Sequence, residues 1–370
     1  MRTMRQTPWV VLFAAVPLIG LFLGAQAIPR TPLAIAPAAG APLASTEIIT
    51  PQAYLPLVSH GTPILSVNPQ NRQASLDSYN TVYLASEGAP IDWTGNHAAC
   101  GEGTTSAAFR QAVQLRINYF RAMAGVPATV ILSDEFTAKA QKAALMMSVN
   151  RQLSHSPDSS WTCYSAEGAE AAGKSNLYLG VYGPNAISGY IYDPGSGNYA
   201  VGHRRWILYP QTESMGSGDI PPAAGYPASN ALWVFDANIW GPRPATREEF
   251  VAWPPPGYVP SQVVYPRWSF SYARADFSNA LVSMRQGSVP VALVQQTVVN
   301  GYGENTLVWE PQISLGVPPA SDTTYTVTVE NVVVDENRRD FTYDVIVFDA
   351  GSGAVASAAT DGQLGPPPEN

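Results

Sequence analysis

The chain is poor in cysteine and in charge. Only two cysteines, Cys100 and Cys163, occur in 370 residues. If they pair, no thiol is left to act as a nucleophile. Charged residues make up 13% of the sequence and no basic cluster occurs anywhere. That argues against nucleic acid as a partner, because phosphate binding needs grouped Lys and Arg. Also missing are a Gly-x-Ser-x-Gly elbow, a His-Glu-x-x-His helix and a Gly-rich phosphate loop. No long-period repeat is present. The one extended apolar run, Trp9 to Leu23, is short for a membrane span and is broken by Pro17.

What is there is apolar and rich in turns. Hydrophobic residues reach 46%, beside 30 glycines and 33 prolines. That suits an extracellular protein better than a cytosolic enzyme, and the length suits two globular domains with tails. Arg2 and Arg5 precede the apolar run, and Ala25-Gln26-Ala27 follows it. Residues 1–27 therefore read as a secretory signal, with an uncleaved anchor helix as the alternative. Cleavage would remove two basic residues and no acidic ones, making the chain more acidic than its formal −8. In an exported protein Cys100 and Cys163 are expected to form a disulfide, with two buried thiols as the alternative.

Residues 28–60 are rich in Pro, Ala and Thr without periodicity, as in a flexible spacer. Residues 61–103 read as an ordered extension tied down through Cys100. A helix is expected from about Thr104–Ser106, with Phe109, Val113, Ile117, Phe120 and Ala124 on one face and Gly125 and Pro127 as its stop. Arg110, Gln114, Asn118 and Arg121 lie off that face. A second helix is expected over Asp134–Asn150, capped by Ser133. A third is expected over Asn185–Tyr192, and a strand at Ala231–Phe235. Mixed helices and strands over 104–240 indicate an α+β domain. From residue 254 to 350 strand signals dominate: Tyr325, Val327 and Val329 alternate with threonines, and Phe341, Tyr343, Val345 and Val347 repeat the pattern beyond a turn at Asp335-Glu336-Asn337. Further candidates are Trp268–Tyr272, Ala280–Met284, Val291–Val298 and Thr306–Trp309. This points to an immunoglobulin-like β-sandwich. The tail, 351–370, is small and polar and reads as disordered.

The chemical signal is concentrated between Leu153 and Pro210. Two of the four histidines, His155 and His203, lie there with the carboxylates Glu167, Glu170 and Asp193. Histidine and carboxylate bind divalent metals and move protons near neutral pH. Each also has a plainer reading: the histidines as packing residues, the glutamates as a solvated helix edge, and Asp193, before Pro194, as a turn former.

Four pieces of this region resemble a bacterial member of the CAP superfamily, the cysteine-rich secretory and pathogenesis-related proteins. Arg116-Ile117-Asn118-Tyr119-Phe120-Arg121 with Gly125-Val126-Pro127 is similar to its opening helix. Leu153-Ser154-His155 is similar to the Ser-His that follows its second helix. Glu170-Ala171-Ala172-Gly173-Lys174-Ser175-Asn176-Leu177 is similar to its Gly-Glu-Asn box, though with a lysine and one extra residue. Gly202-His203-Arg204-Arg205-Trp206-Ile207-Leu208 is similar to its Gly-His box. The resemblance covers roughly residues 104–240. It implies an α-β-α sandwich with a central cleft, lined by two histidines and two acids, that can hold a divalent metal such as zinc. Here His155 and His203 match the histidines, and Glu170 (or Glu167) and Asp193 are the acids that could serve.

Fold likeness does not supply an activity. The leading expectation is a secreted or surface-associated, non-enzymatic binding protein whose His-lined cleft takes a divalent metal or a small or lipidic ligand. A zinc-dependent hydrolase with Glu167 or Glu170 as base is the first alternative. The second is a structural cell-envelope protein with a vestigial cleft. An extracellular or cell-envelope partner fits either non-enzymatic reading.

Overall fold

The computed structural model describes residues 65–351 and 363–368. Residues 1–64, which include the expected signal and spacer, and residues 352–362 and 369–370 lie outside the described residues. Among those described, no helix is long and apolar enough to cross a membrane.

The first chemistry-bearing half is built on five strands. They are β1 (Ile131–Leu132), β2 (Ser175–Leu179), β3 (Ser214–Ile220), β4 (Ser229–Trp233) and β14 (Gln363–Leu364), in the order β1-β3-β4-β2-β14. Only β1 and β3 run parallel. Strand side chains alternate between faces, and each face meets helices. Leu177 and Ala231 join Ala140, Ala143 and Ala144 of one helix in a small core. Tyr178 and Leu232 join Ile117, Phe120, Ile187 and Ile191 in a large one. The result is an α-β-α sandwich.

The helices begin and end where short-range chemistry says they should. The helix called α2, Ala107–Ala124, is capped by Ser106, whose Oγ accepts from the Phe109 N–H at 3.0 Å. It stops at Gly125, in the left-handed region at φ 78°. Helix α3, Asp134–Asn150, is capped by Ser133 and has Asp134 and Glu135 at its positive end. It lies so close to the sheet that a Cβ on Gly218 would stand 2.1 Å from the Ala140 carbonyl. Glycine and alanine face each other because nothing larger fits.

Helix α2 departs from the expected one-sided burial. Asn118 and Arg121 are buried, because the helix is enclosed on nearly every side. Asn118 pairs both ways with the backbone of Val130, at 2.8 and 3.0 Å. Arg121 donates to the carbonyls of Pro127, Ile207, Tyr209, Pro210 and Thr212. Burial pulls its guanidinium pKa down, and the Asp236 carboxylate works against that shift. The segment 61–103 contributes α1 (Arg72–Ser78), and Tyr79 and Tyr83 just beyond it pack on Tyr119.

The second half is a β-sandwich. One sheet holds β5 (Val251–Trp253), β7 (Trp268–Ser271), β10 (Leu293–Gln295) and β11 (Thr306–Pro311). The other holds β6 (Gly257–Pro260), β8 (Leu281–Gln286), β9 (Val289–Val291), β12 (Thr323–Val334) and β13 (Asn337–Phe348). Trp268 and Phe270 of the first sheet meet Tyr325 and Phe341 of the second. The two-residue turn Asp335-Glu336 joins β12 to β13 with both residues at positive φ, 46° and 65°. Both halves share one continuous core, in which Phe120 packs against Trp253 at 5.2 Å.

The tail departs most from expectation. Gln363–Pro368 is ordered, with β14 paired antiparallel along β2 and Gly365, Pro367 and Pro368 buried. Composition alone gives a Gly-Pro-Pro-Pro stretch no reason to fold; here the partners that order it lie about two hundred residues upstream.

Candidate functional site

The two histidines stand on separate elements, and each element also touches the Gln363–Pro368 segment. His155 sits on the loop after α3. That loop is fastened by the Cys100–Cys163 disulfide, and the Cys163 Sγ also approaches the His97 carbonyl at 3.9 Å. His155 Nδ1 lies 2.6 Å from the Ala172 carbonyl and Nε2 lies 2.5 Å from the Pro366 carbonyl. Carbonyls only accept, so each contact needs an N–H on the ring.

His203 belongs to α6 (Gly202–Ile207) and is fully buried. Asp193, in the left-handed region at φ 54°, ends α5 (Pro184–Tyr192) and turns the chain toward α6. Its Oδ1 accepts from His203 Nδ1 at 2.7 Å, and its Oδ2 accepts the His203 backbone N–H at 3.0 Å. One carboxylate thus satisfies a first-turn N–H of α6 and fixes the ring. Tyr190 stacks on that ring at 5.5 Å. With Nδ1 committed to Asp193, His203 Nε2 is left without a partner, as is the Oδ1 of Asn176, whose Nδ2 donates to the His203 carbonyl.

The acidic residues do not assemble as expected. Glu167 and Glu170 lie on α4 (Ala166–Gly173), capped by Ser165. Glu167 is bound by Lys142. Glu170 bridges Lys139 at 3.1 Å and Lys174 at 2.9 Å. The lysine hydrogen bonds hold both carboxyls below the usual carboxylate range. Lys174 also lies over the Trp233 ring at 4.8 Å. The helix turns its acids toward the lysines of α3, an i, i+3 pairing that the sequence presents without a direction.

The expected metal set His155, His203, Glu170 and Asp193 is therefore not brought together. Among the described residues no three His, Cys, Asp or Glu are placed to share an ion. Zinc takes four ligands, or three and an open position, aimed at one point. Asp193 and His203 instead aim at each other, and both nitrogens of His155 face carbonyls, so the donors present do not fit a zinc centre.

Sequence reasoning missed two parts of the site. One is a buried network behind Tyr190, whose hydroxyl donates to Asn230 Oδ1 at 2.7 Å. Asn230 Nδ2 in turn donates to Asp219 Oδ1 at 2.8 Å. Asp219 also accepts from Ser217 Oγ and from the Gly183 N–H. Burial raises its carboxyl pKa, and these three donors work against that rise. The other is Trp206, whose indole N–H donates to the Pro368 carbonyl at 2.7 Å.

The order of helices and strands and the sandwich they form define an α+β module of the α-β-α type. The model of the cysteine-rich secretory protein family, CAP, matches residues 115–235. The chain thus contains a CAP domain, followed by a β-sandwich. No curated protein matches it. Among solved structures it is similar to PcoC, a methionine-rich copper resistance protein from Escherichia coli. They share 16% identity over 26% of this chain and 92% of that one, at a TM-score of 0.20; so slight a likeness carries no argument.

Proposed function

We propose that this is an exported, non-enzymatic binding protein whose CAP cleft holds its ligand through hydrogen bonds. The observation that carries this reading is how the ionisable groups are used. Both candidate bases, Glu167 and Glu170, are tied to lysines, and Asp193 positions His203. What the cleft offers is donors, the His155 imidazole and the Trp206 indole. Donors recognise a ligand, and the one arrangement resembling a general base, Asp193–His203 with its unpaired Nε2, is fully buried. The Cys100–Cys163 disulfide and the signal-like residues 1–27 support export.

The test is an assay for hydrolysis of ester and peptide substrates with zinc in excess. No turnover dependent on His155 or His203 is expected. Turnover that disappears in both His155→Ala and His203→Ala would overturn the reading in favour of a metal-dependent hydrolase.

A further inference from the structure

We propose that the cleft is a groove for an extended, proline-rich peptide segment on another protein, and that Gln363–Pro368 is a built-in occupant which such a segment displaces. This rests on the binding reading above and names its ligand class.

The occupant is held the way a peptide ligand is held. Leu364 and Gln363 pair with Tyr178 and Leu179 as an added strand on the edge of β2, and the Gly365 N–H donates to the Leu177 carbonyl at 3.2 Å. Adding a strand to an open sheet edge is a recurrent mode of peptide capture. Beyond Gly365 the backbone is read by side chains: His155 Nε2 takes the Pro366 carbonyl and Trp206 Nε1 takes the Pro368 carbonyl. Two donors, from separate elements, meet carbonyls two residues apart.

Proline suits these positions for a physical reason. It presents a carbonyl and no N–H. A run of prolines can enter a groove lined by donors without leaving a buried N–H unpaired. It is also already extended, so little conformational freedom is lost on docking. The floor is shaped for such a ring. At Gly202 a Cβ would stand 2.3 Å from Pro367 Cγ, so only the missing side chain lets the ring lie there.

The occupant reduces affinity for any outside segment, because the two compete for the same donors and the same strand edge. The experiment uses a fluorescein-labelled peptide of residues 361–370 and fluorescence anisotropy. A chain ending at Gly351 is expected to bind it saturably, at least tenfold tighter than the whole chain does. His155→Ala and Trp206→Phe in the shortened chain are each expected to weaken binding severalfold, and a peptide with Pro366–Pro368 replaced by alanine is expected to bind poorly. Equal affinity of whole and shortened chains, or no binding by a folded shortened chain, would overturn the proposal.

Should the shortened chain fail to fold, Gly202→Ala in the whole chain provides a second test. Its added methyl meets Pro367, so the Gly365 amide should exchange with deuterium at least tenfold faster while the amides of α2 and α3 stay protected. Unchanged exchange at Gly365 would count against the proposal. Loss of peptide binding without turnover removes the peptide inference alone; turnover removes the binding reading beneath it.

Discussion

At the scale of single residues, the site is held by buried groups that each serve several partners. Arg121 satisfies five carbonyls, that of Pro127 after α2 and four at and beyond the end of α6. Arg121→Met would leave those acceptors buried and unpaired, and should lower stability by about 3–5 kcal/mol. Urea unfolding midpoints measure this. Asp193→Asn should cost about 1–2 kcal/mol, because its amide must turn its NH2 toward either the His203 backbone N–H or the ring Nδ1, both of which the carboxylate now meets with an oxygen. The residue scale is also where the sequence says least. His155 and His203 stand out as rare residues, but nothing in the spacing shows that Asp193 faces His203 rather than an ion. Glu167 and Glu170 were legible as a pair on one helix face, while their partners Lys139 and Lys142 lie on a different helix.

At the scale of elements, caps make the sequence readable. Ser106, Ser133 and Gly125 mark the helix ends because their chemistry acts within four residues. Pairings across the chain are not legible in this way. The α3–α4 contact, built on Ala140, Ala143, Ala171 and Ala172, also carries the Glu170–Lys139 bridge at its rim, and the Glu170 carboxyl is held below its usual range by Lys174 and Lys139. That stabilisation is fully present above the ordinary carboxylate pKa and is lost as the pH falls through the lowered one. Thermal midpoints should therefore drop less between pH 6 and pH 3 in Glu170→Gln than in the native chain. The disulfide ties the His155 loop to the segment before α2 across 63 residues. Replacing both cysteines by serine should cost about 2–4 kcal/mol, seen as an earlier urea midpoint.

At the scale of the whole molecule, the two halves are stitched by arginines of the same short segment that carries His203. Arg204 donates to the Arg267 carbonyl and to Ser269, and Arg205 donates to the carbonyls of Val299 and Glu304. Arg267 answers from the sandwich to the carbonyls of Asp193 and Gly195. With one core running through both, unfolding followed by tryptophan fluorescence and by far-ultraviolet circular dichroism should give coincident transitions. Two separated transitions would show that the halves melt independently. In the sequence, Arg204-Arg205 reads as part of a helical motif, and nothing local says that its charges end inside another layer.

The pairing of Gln363–Leu364 with β2 has one more result. A sheet that ends on an unpaired strand offers its backbone to any neighbour, which is how folded proteins begin to stick to one another. The added strand covers β2, so a molecule deprived of it would be prone to clump, and light scattering from its solutions should climb with concentration.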